Sequence, residues 1–310
     1  MKKKIAFLFA GQGAQYIGMG EDFYREFSYV KNLYDLASQQ LGYDITKICF
    51  ENNALINQTK YAQPAILITS LAILKVIKNE FQINPDVVAG FSLGEYSALF
   101  EAKVFDIKTI INLVKHRAYY MEEASIKNPG AMAAIIGLNR FTLESLCMDT
   151  KDVYIANYNC PDQIVVAGLT ESVKLLCEKA KIKGARRTIM LNVSGAFHTP
   201  IMHDAADKMY NLIMQTDYLK PKCDIYMNYQ AQKLDIKQLP IIVKKQIESP
   251  VYFEDIIKKF ILLGVDLFIE IGPGTVLSGF VRKIDPTKTV ISINKVSDLK
   301  LIGGQNGIKR

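Results

Sequence analysis

"VVAGFSLGEYSAL", residues 87–99, decides how this chain is read. A β-branched run ending at Ala89 passes through Gly90-Phe91-Ser92-Leu93-Gly94 into a helix-forming segment, Glu95 to Leu99. With a strand over 86–89 and a helix from 95, Ser92 stands on a sharp strand-to-helix corner. Small residues must flank it because the backbone there is crowded. This is the G-x-S-x-G nucleophile-elbow pattern, which holds one hydroxyl out for chemistry. Three fixed positions in five also arise by chance, so the rest of the chain has to decide.

The chain has 310 residues and 49% hydrophobic content, enough for one large domain, or a domain carrying a smaller one, around a substantial core. Its longest apolar runs, such as "AILITSLAIL" (65–74), fall short of the roughly 18–20 residues of a membrane span. The "MKKK" start lacks the apolar region and cleavage site of a signal peptide. A soluble, cytoplasmic protein is expected. Cys49, Cys147, Cys160, Cys177 and Cys223 form no C-x-x-C pair and are odd in number, so neither a disulfide framework nor a zinc site is indicated. They read as small buried apolar residues.

The formal net charge is +7, with clusters at Lys2 to Lys4, at Lys181, Lys183, Arg186 and Arg187, and at Arg282 and Lys283. Each cluster by itself reads as a solvated surface, while the overall positive field favours anionic partners. No finger, basic helix or RNA-binding aromatic signature accompanies the charge, so no nucleic-acid partner is expected. No long exposed apolar seam is visible, and a monomer is expected.

"KIAFLF" (4–9) reads as a buried strand, followed by the glycine-bearing loop "AGQGAQ". No lysine-serine pair follows those glycines, which argues against a phosphate loop. Pro64 suits the first position of a helix, and Asp106 suits the cap of a long helix over 107–124. Between about 130 and 194 the pattern becomes β-α-β-β-α-β, with strands "AMAAIIGL", "VYIANYN", "QIVVAG" and "RTIMLNV". That is the ferredoxin-like order. Strand-helix alternation resumes afterwards, so the unit is expected to be inserted in a larger α/β domain: 1–127 and 197–310 for the large part, 128–196 for the small. Such an order predicts a cleft between two subdomains, a usual place for a site. The end, "IGGQNGIKR", reads as a frayed tail.

A serine hydroxyl is a weak nucleophile near neutral pH unless a base takes its proton, and histidine is the usual base. The chain has three: His116, His198 and His203. His116 and His203 fit surface or packing positions. His198 lies just before a helix opened by Pro200, at the edge of the inserted unit, and is the candidate base for Ser92. An oxyanion needs two converging donors. The Leu93 N–H, directly after the nucleophile, supplies one, and the "GQGAQ" loop is placed for the second unless it is only a tight turn. Arg117 falls on an apolar helical stripe made by Ile107, Ile110, Ile111, Val114, Ala118 and Met121. A charged side chain there must snorkel out, meet a protein carboxylate, or receive an anionic ligand. Its planar fork fits a carboxylate in two hydrogen bonds.

The ordered blocks "AGQGAQ", "AQPA" (62–65), "GFSLGEYSAL", "KHRAYYM", "GAMAAIIGL", "NYNCPDQIVVAG", "SGAFHTPIM", "QIESPVYFED" and "IEIGPGTVLSG" resemble the acyltransferase family of fatty-acid and polyketide synthesis. Within it they resemble the malonyl-CoA:acyl-carrier-protein transacylases, over residues 4 to about 294. The resemblance implies a serine-hydrolase-like α/β parallel-sheet domain with an inserted ferredoxin-like subdomain. It implies Ser92 as the acylated nucleophile and His198 as the base. It assigns Gln246 as the residue whose backbone carbonyl orients that histidine, and the main-chain amides of Gln12 and Leu93 as the oxyanion hole. Arg117 matches the arginine that binds the free malonyl carboxylate, and Phe197 the ring that accompanies malonyl over branched substrates. Asn159 lies in a block that borders the cleft in relatives, and no definite role is carried to it. The implied partners are malonyl-CoA and an acidic acyl carrier protein, with no metal and no redox cofactor, and the cluster at 181–187 becomes a candidate contact for them. Two positions depart from the family: Phe91 where histidine is common, and Ala10 where proline is common. A polyketide trans-acting acyltransferase, a thioesterase and an inactive carrier-binding scaffold are the competing readings.

Overall fold

The computed structural model describes residues 3–193 and 195–303. Lys2 of the first basic cluster, Ser194 and the tail beyond Gly303 lie outside the described residues. In chain order the strands there are β1 (Lys4–Phe9), β2 (Val87–Gly90), β3 (Ala131–Ile136), β4 (Val153–Cys160), β5 (Gln163–Gly168), β6 (Arg187–Met190), β7 (Asp224–Tyr226), β8 (Val251–Tyr252), β9 (Val265–Ile271) and β10 (Thr289–Ile293). The chain divides into two compact units.

Among the described residues the first unit takes the chain up to Ala118, Asp217–Tyr226 and the chain from Lys259 onward. Its sheet has the order β10-β9-β1-β2-β7, and every pair is parallel. Parallel strands covered on both faces read as continuous apolar runs; Ile5 to Phe9 and Val87 to Ala89 are accordingly buried. Because β1, β2 and β9 run the same way, the loops after Phe9, Gly90 and Ile271 leave one edge of the sheet, where ligands bind in open α/β sheets. Ala10 N–H donates to the Ile271 carbonyl at 3.3 Å, a bond that proline could not make.

Two expectations change here. The helix carrying Pro64 begins at Thr59, so Pro64 lies inside helix Thr59–Val76 rather than opening it. Only the carbonyl of Lys60 loses its i+4 donor, and that carbonyl belongs to the first turn. The same helix runs through a π turn to Phe81, and the stretch Thr59–Phe81 is long and apolar enough by length and composition to cross a membrane. It is mostly buried within the protein, as a core helix is.

The second unit takes Tyr119–Thr216 and Met227–Lys258. Its elements follow the β-α-β-β-α-β order read from the sequence, with helices Arg140–Met148 and Thr170–Ile182 between strands. The sheet order is β6-β3-β5-β4-β8. Val153, Ile155, Val166, Val173 and Leu176 are among the side chains of its core. This unit is wider than 128–196. β8 pairs in parallel with β4 through Asn157↔Val251 and Tyr158↔Tyr252, which draws in chain from beyond residue 227. The boundary falls inside helix Ile107–Lys127, after Ala118, where local periodicity gives no sign of it.

Candidate active site

In the first unit the site grows from the corner after β2. Ser92 has φ 51, the left-handed region that L-residues adopt only when surroundings hold them there. The Gly94, Glu95 and Tyr96 N–H groups donate to the Phe91, Ser92 and Leu93 carbonyls, so the turn tightens directly into helix Gly94–Glu101. Two glycines permit the bend. A Cβ on Gly90 would lie 1.9 Å from the Gly94 carbonyl carbon, and one on Gly94 would lie 2.1 Å from the Phe9 carbonyl oxygen.

Arg117 does not snorkel: it is 1% exposed. Its Nη1 donates to Gln63 Oε1 at 2.6 Å, and its Nη2 to Ser92 Oγ at 3.2 Å. The guanidinium also lies 5.5 Å from the centre of the Tyr96 ring, within cation–π range. Burial pulls its pKa down from the ordinary arginine value, while Tyr96 and Glu95 favour the charged form. Gln63 Nε2 donates to Gln12 Oε1 at 3.4 Å, and Gln12 Nε2 to Thr59 Oγ1 at 3.2 Å. A polar chain thus runs from Thr59 through Gln12, Gln63 and Arg117 to Ser92. Among the described residues the backbone N–H groups of Gln12 and Leu93 have no hydrogen-bond acceptor. Phe91 turns its ring to Phe280, with centroids 6.1 Å apart, an apolar contact that a histidine would fill with a polar ring.

In the second unit His198 is 4% exposed and also has a left-handed backbone, φ 61. Its Nδ1 lies 2.8 Å from the Gln246 carbonyl oxygen. A carbonyl can only accept, so Nδ1 carries a proton, and in the neutral ring Nε2 then keeps the lone pair of a base. Gln246 sits in the last turn of helix Leu239–Glu248. Its carbonyl would receive the N–H of the residue four places on, which is Pro250, and proline has none. That carbonyl is left to His198. The Gln246 side chain donates to Asn228 Oδ1 at 3.4 Å. Phe197 and Asn159 are buried in this unit.

The structure places Ser92, Leu93, Gln12 and Arg117 in one unit and His198, Gln246 and Phe197 in the other. Gln63 was missed from sequence as a site residue. It lies inside the "AQPA" block that marked the family, and a buried glutamine in an otherwise apolar helix was the available sign. His116 and His203 have the peripheral positions expected, with His116 Nδ1 against the Asn112 carbonyl. Burial pushes the Cys49 and Cys147 thiols up to about 12, which suits packing and not nucleophilic attack. Among the described residues no group of three or more His, Cys, Asp or Glu is arranged to hold a metal ion.

Comparison with known proteins places the chain in a family. The family model described as an acyl transferase domain matches residues 6–305. The malonyl CoA-acyl carrier protein transacylase of Bacillus subtilis is 41% identical over 307 residues, covering 96% of both chains. That of Staphylococcus aureus is 37% identical over 303 residues, covering 96% of this chain and 97% of the relative. Among solved structures, the MCAT of Streptococcus pneumoniae superposes with a TM-score of 0.92 at 41% identity, covering 96% of this chain and 98% of that one. A malonyl-transacylase in complex with its type II PKS acyl-carrier protein superposes with a TM-score of 0.94 at 32% identity, covering 98% of this chain and 100% of that one. By its sequence blocks, its elbow serine with a buried arginine beside it, and these similarities, the chain belongs to the acyl transferase family, among the malonyl CoA-acyl carrier protein transacylases.

Proposed function

We propose that this protein moves a malonyl group from malonyl-CoA to the phosphopantetheine thiol of acyl carrier protein, through a malonyl ester on Ser92. The observation that carries the reading is the buried Arg117 guanidinium 3.2 Å from Ser92 Oγ. A simple esterase has no use for a desolvated cation beside its nucleophile, whereas a substrate ending in a free carboxylate does. His198 Nε2 takes the Ser92 proton, and the serine oxygen attacks the thioester carbonyl. The Gln12 and Leu93 N–H groups receive the oxyanion. The C–S bond then breaks, and the coenzyme A sulfur leaves with the proton from His198. In the second half the phosphopantetheine thiol gives its proton to His198, its sulfur attacks the ester, and Ser92 recovers its hydrogen. One site serving two substrates in turn gives ping-pong kinetics. The exposed cluster Lys181, Lys183, Arg186 and Arg187 is assigned to the acidic carrier protein. The protein acts as a cytoplasmic monomer, without nucleic acid or membrane.

The test is intact mass after brief incubation with malonyl-CoA or acetyl-CoA, followed by a chase with holo carrier protein from fatty-acid or polyketide synthesis. A malonyl adduct that is absent in Ser92→Ala and moves to carrier protein supports transfer. An adduct that decays equally fast without carrier protein makes the enzyme a hydrolase.

Phe197 precedes the base and is buried, so its ring limits branching at the substrate carbon. Phe197→Ser is expected to raise methylmalonyl transfer relative to malonyl by about tenfold or more, the usual effect of one methyl group in a tight pocket. Competition between the two thioesters measures it, and an unchanged ratio rejects the assignment.

A further inference from the structure

We propose that His203 is a positioning residue for the base: it ties the end of the helix that carries Gln246, and so fixes the carbonyl that holds His198. His203 opens helix His203–Met214, and Glu248 ends helix Leu239–Glu248. His203 Nδ1 lies 2.7 Å from Glu248 Oε2, and its Nε2 lies 3.2 Å from Asp207 Oδ2. Lys245 Nζ donates to Glu248 Oε1 at 2.8 Å, and Lys244 pairs with Asp207. The Glu248 side chain is 7% exposed, against 58% for His203. Although burial pushes its carboxyl upward, hydrogen bonds from Lys245 and His203 hold it below the usual carboxylate range.

The same two stretches of chain are therefore joined by His198 to Gln246 and by His203 to Glu248, beside the Lys244–Asp207 pair between their helices. Of the latter two ties, the one through Lys244 meets the chain two residues before Gln246, and the one through His203 two residues after it, on the side of Pro250. Gln246 needs that constraint because its carbonyl belongs to a final helical turn that Pro250 leaves without its ladder bond. Thr199 secures the stretch between the two histidines: its hydroxyl donates to the Ala196 carbonyl at 2.6 Å and accepts from the Ile201 N–H at 3.3 Å. An exposed ion pair by itself contributes little. His203 differs from such a pair because the carboxylate it meets is buried and two residues from the carbonyl that orients the base.

The chain has only three histidines, so ring signals of the full-length ¹⁵N-labelled protein can be assigned with His116 and His203 variants. His203→Ala and Glu248→Gln are expected to move the His198 Nδ1–H resonance upfield, as its bond to the Gln246 carbonyl lengthens. In the kinetic arm, which rests on the proposed transfer reaction, kcat falls about tenfold, a part of what a positioned base contributes, while KM for malonyl-CoA holds. His203→Lys, which keeps a cation for Glu248, restores both readouts. Glu123→Gln, which breaks the exposed Lys208–Glu123 pair of the same unit, leaves both unchanged. A His198 resonance at its wild-type position in His203→Ala and Glu248→Gln overturns the proposal. If the wild-type protein transfers no malonyl, the functional reading fails while the resonance still decides the tie.

Discussion

Arg117→Ala is expected to lower kcat/KM for malonyl-CoA by about 30-fold to several thousand-fold, the range that follows from losing a desolvated charge pair worth about 2 to 5 kcal/mol. Acetyl transfer, which lacks a carboxylate for the arginine to hold, changes far less, so the preference between the two thioesters collapses. Arg117 is 1% exposed and already bonded to Gln63 and Ser92. The fork is therefore preorganised, and little side-chain freedom is lost when substrate arrives. Arg117→Lys keeps the charge but cannot reproduce a planar fork reaching two acceptors, and should recover only part of the loss. Steady-state kinetics with malonyl-CoA and acetyl-CoA on all three proteins decides it. Retained malonyl preference in Arg117→Ala would remove the carboxylate-binding role.

Gly94→Ala is expected to destabilise the first unit by about 3 kcal/mol or more, at the upper end of overpacking costs, and Gly90→Ala similarly. The added carbon would meet backbone at 2.1 Å in one case and 1.9 Å in the other, and backbone of β1 and of the elbow cannot swing aside as a flexible side chain can. Gly279→Ala is the internal contrast. It lies in helix Val276–Ile284 with nothing within 4 Å of its added carbon, so alanine should stabilise by about 0.5 to 1 kcal/mol through helix propensity. Thermal unfolding of the three variants should give opposite signs. A Gly94→Ala protein that melts at the wild-type temperature would show that the corner is roomier than described.

Much of the first unit was legible because its signals are local. The apolar run of β1, the glycine-flanked corner at Ser92 and Asp106 at the start of helix Ile107–Lys127, where its carboxylate accepts from the Thr109 N–H at 2.7 Å, each depend on a few adjacent residues. Arg117 stood out for the same reason, as one charge on an apolar helical stripe. The start of helix Thr59–Val76 was misplaced because Pro64 was read as the opening residue, whereas it lies just past the first turn and leaves only the Lys60 carbonyl without its i+4 donor. The addition of β8 to the second sheet was not legible because it is only two residues long, and it becomes a strand by pairing with β4.

By itself the sequence determined the α/β class, the elbow that presents Ser92, and the presence of a cation on an apolar helical stripe that had to have a reason, since periodicity and steric need are written into neighbouring residues. Only the tertiary structure decided that Gln63 holds Arg117 from 54 residues away, and that His198 keeps its proton on Nδ1 because the Gln246 carbonyl, 48 residues on, can only accept. It alone also set His203 against Glu248. Hydrogen bonds between distant segments depend on where folding brings the chain together, and neither residue of such a pair carries the other's position in its local sequence.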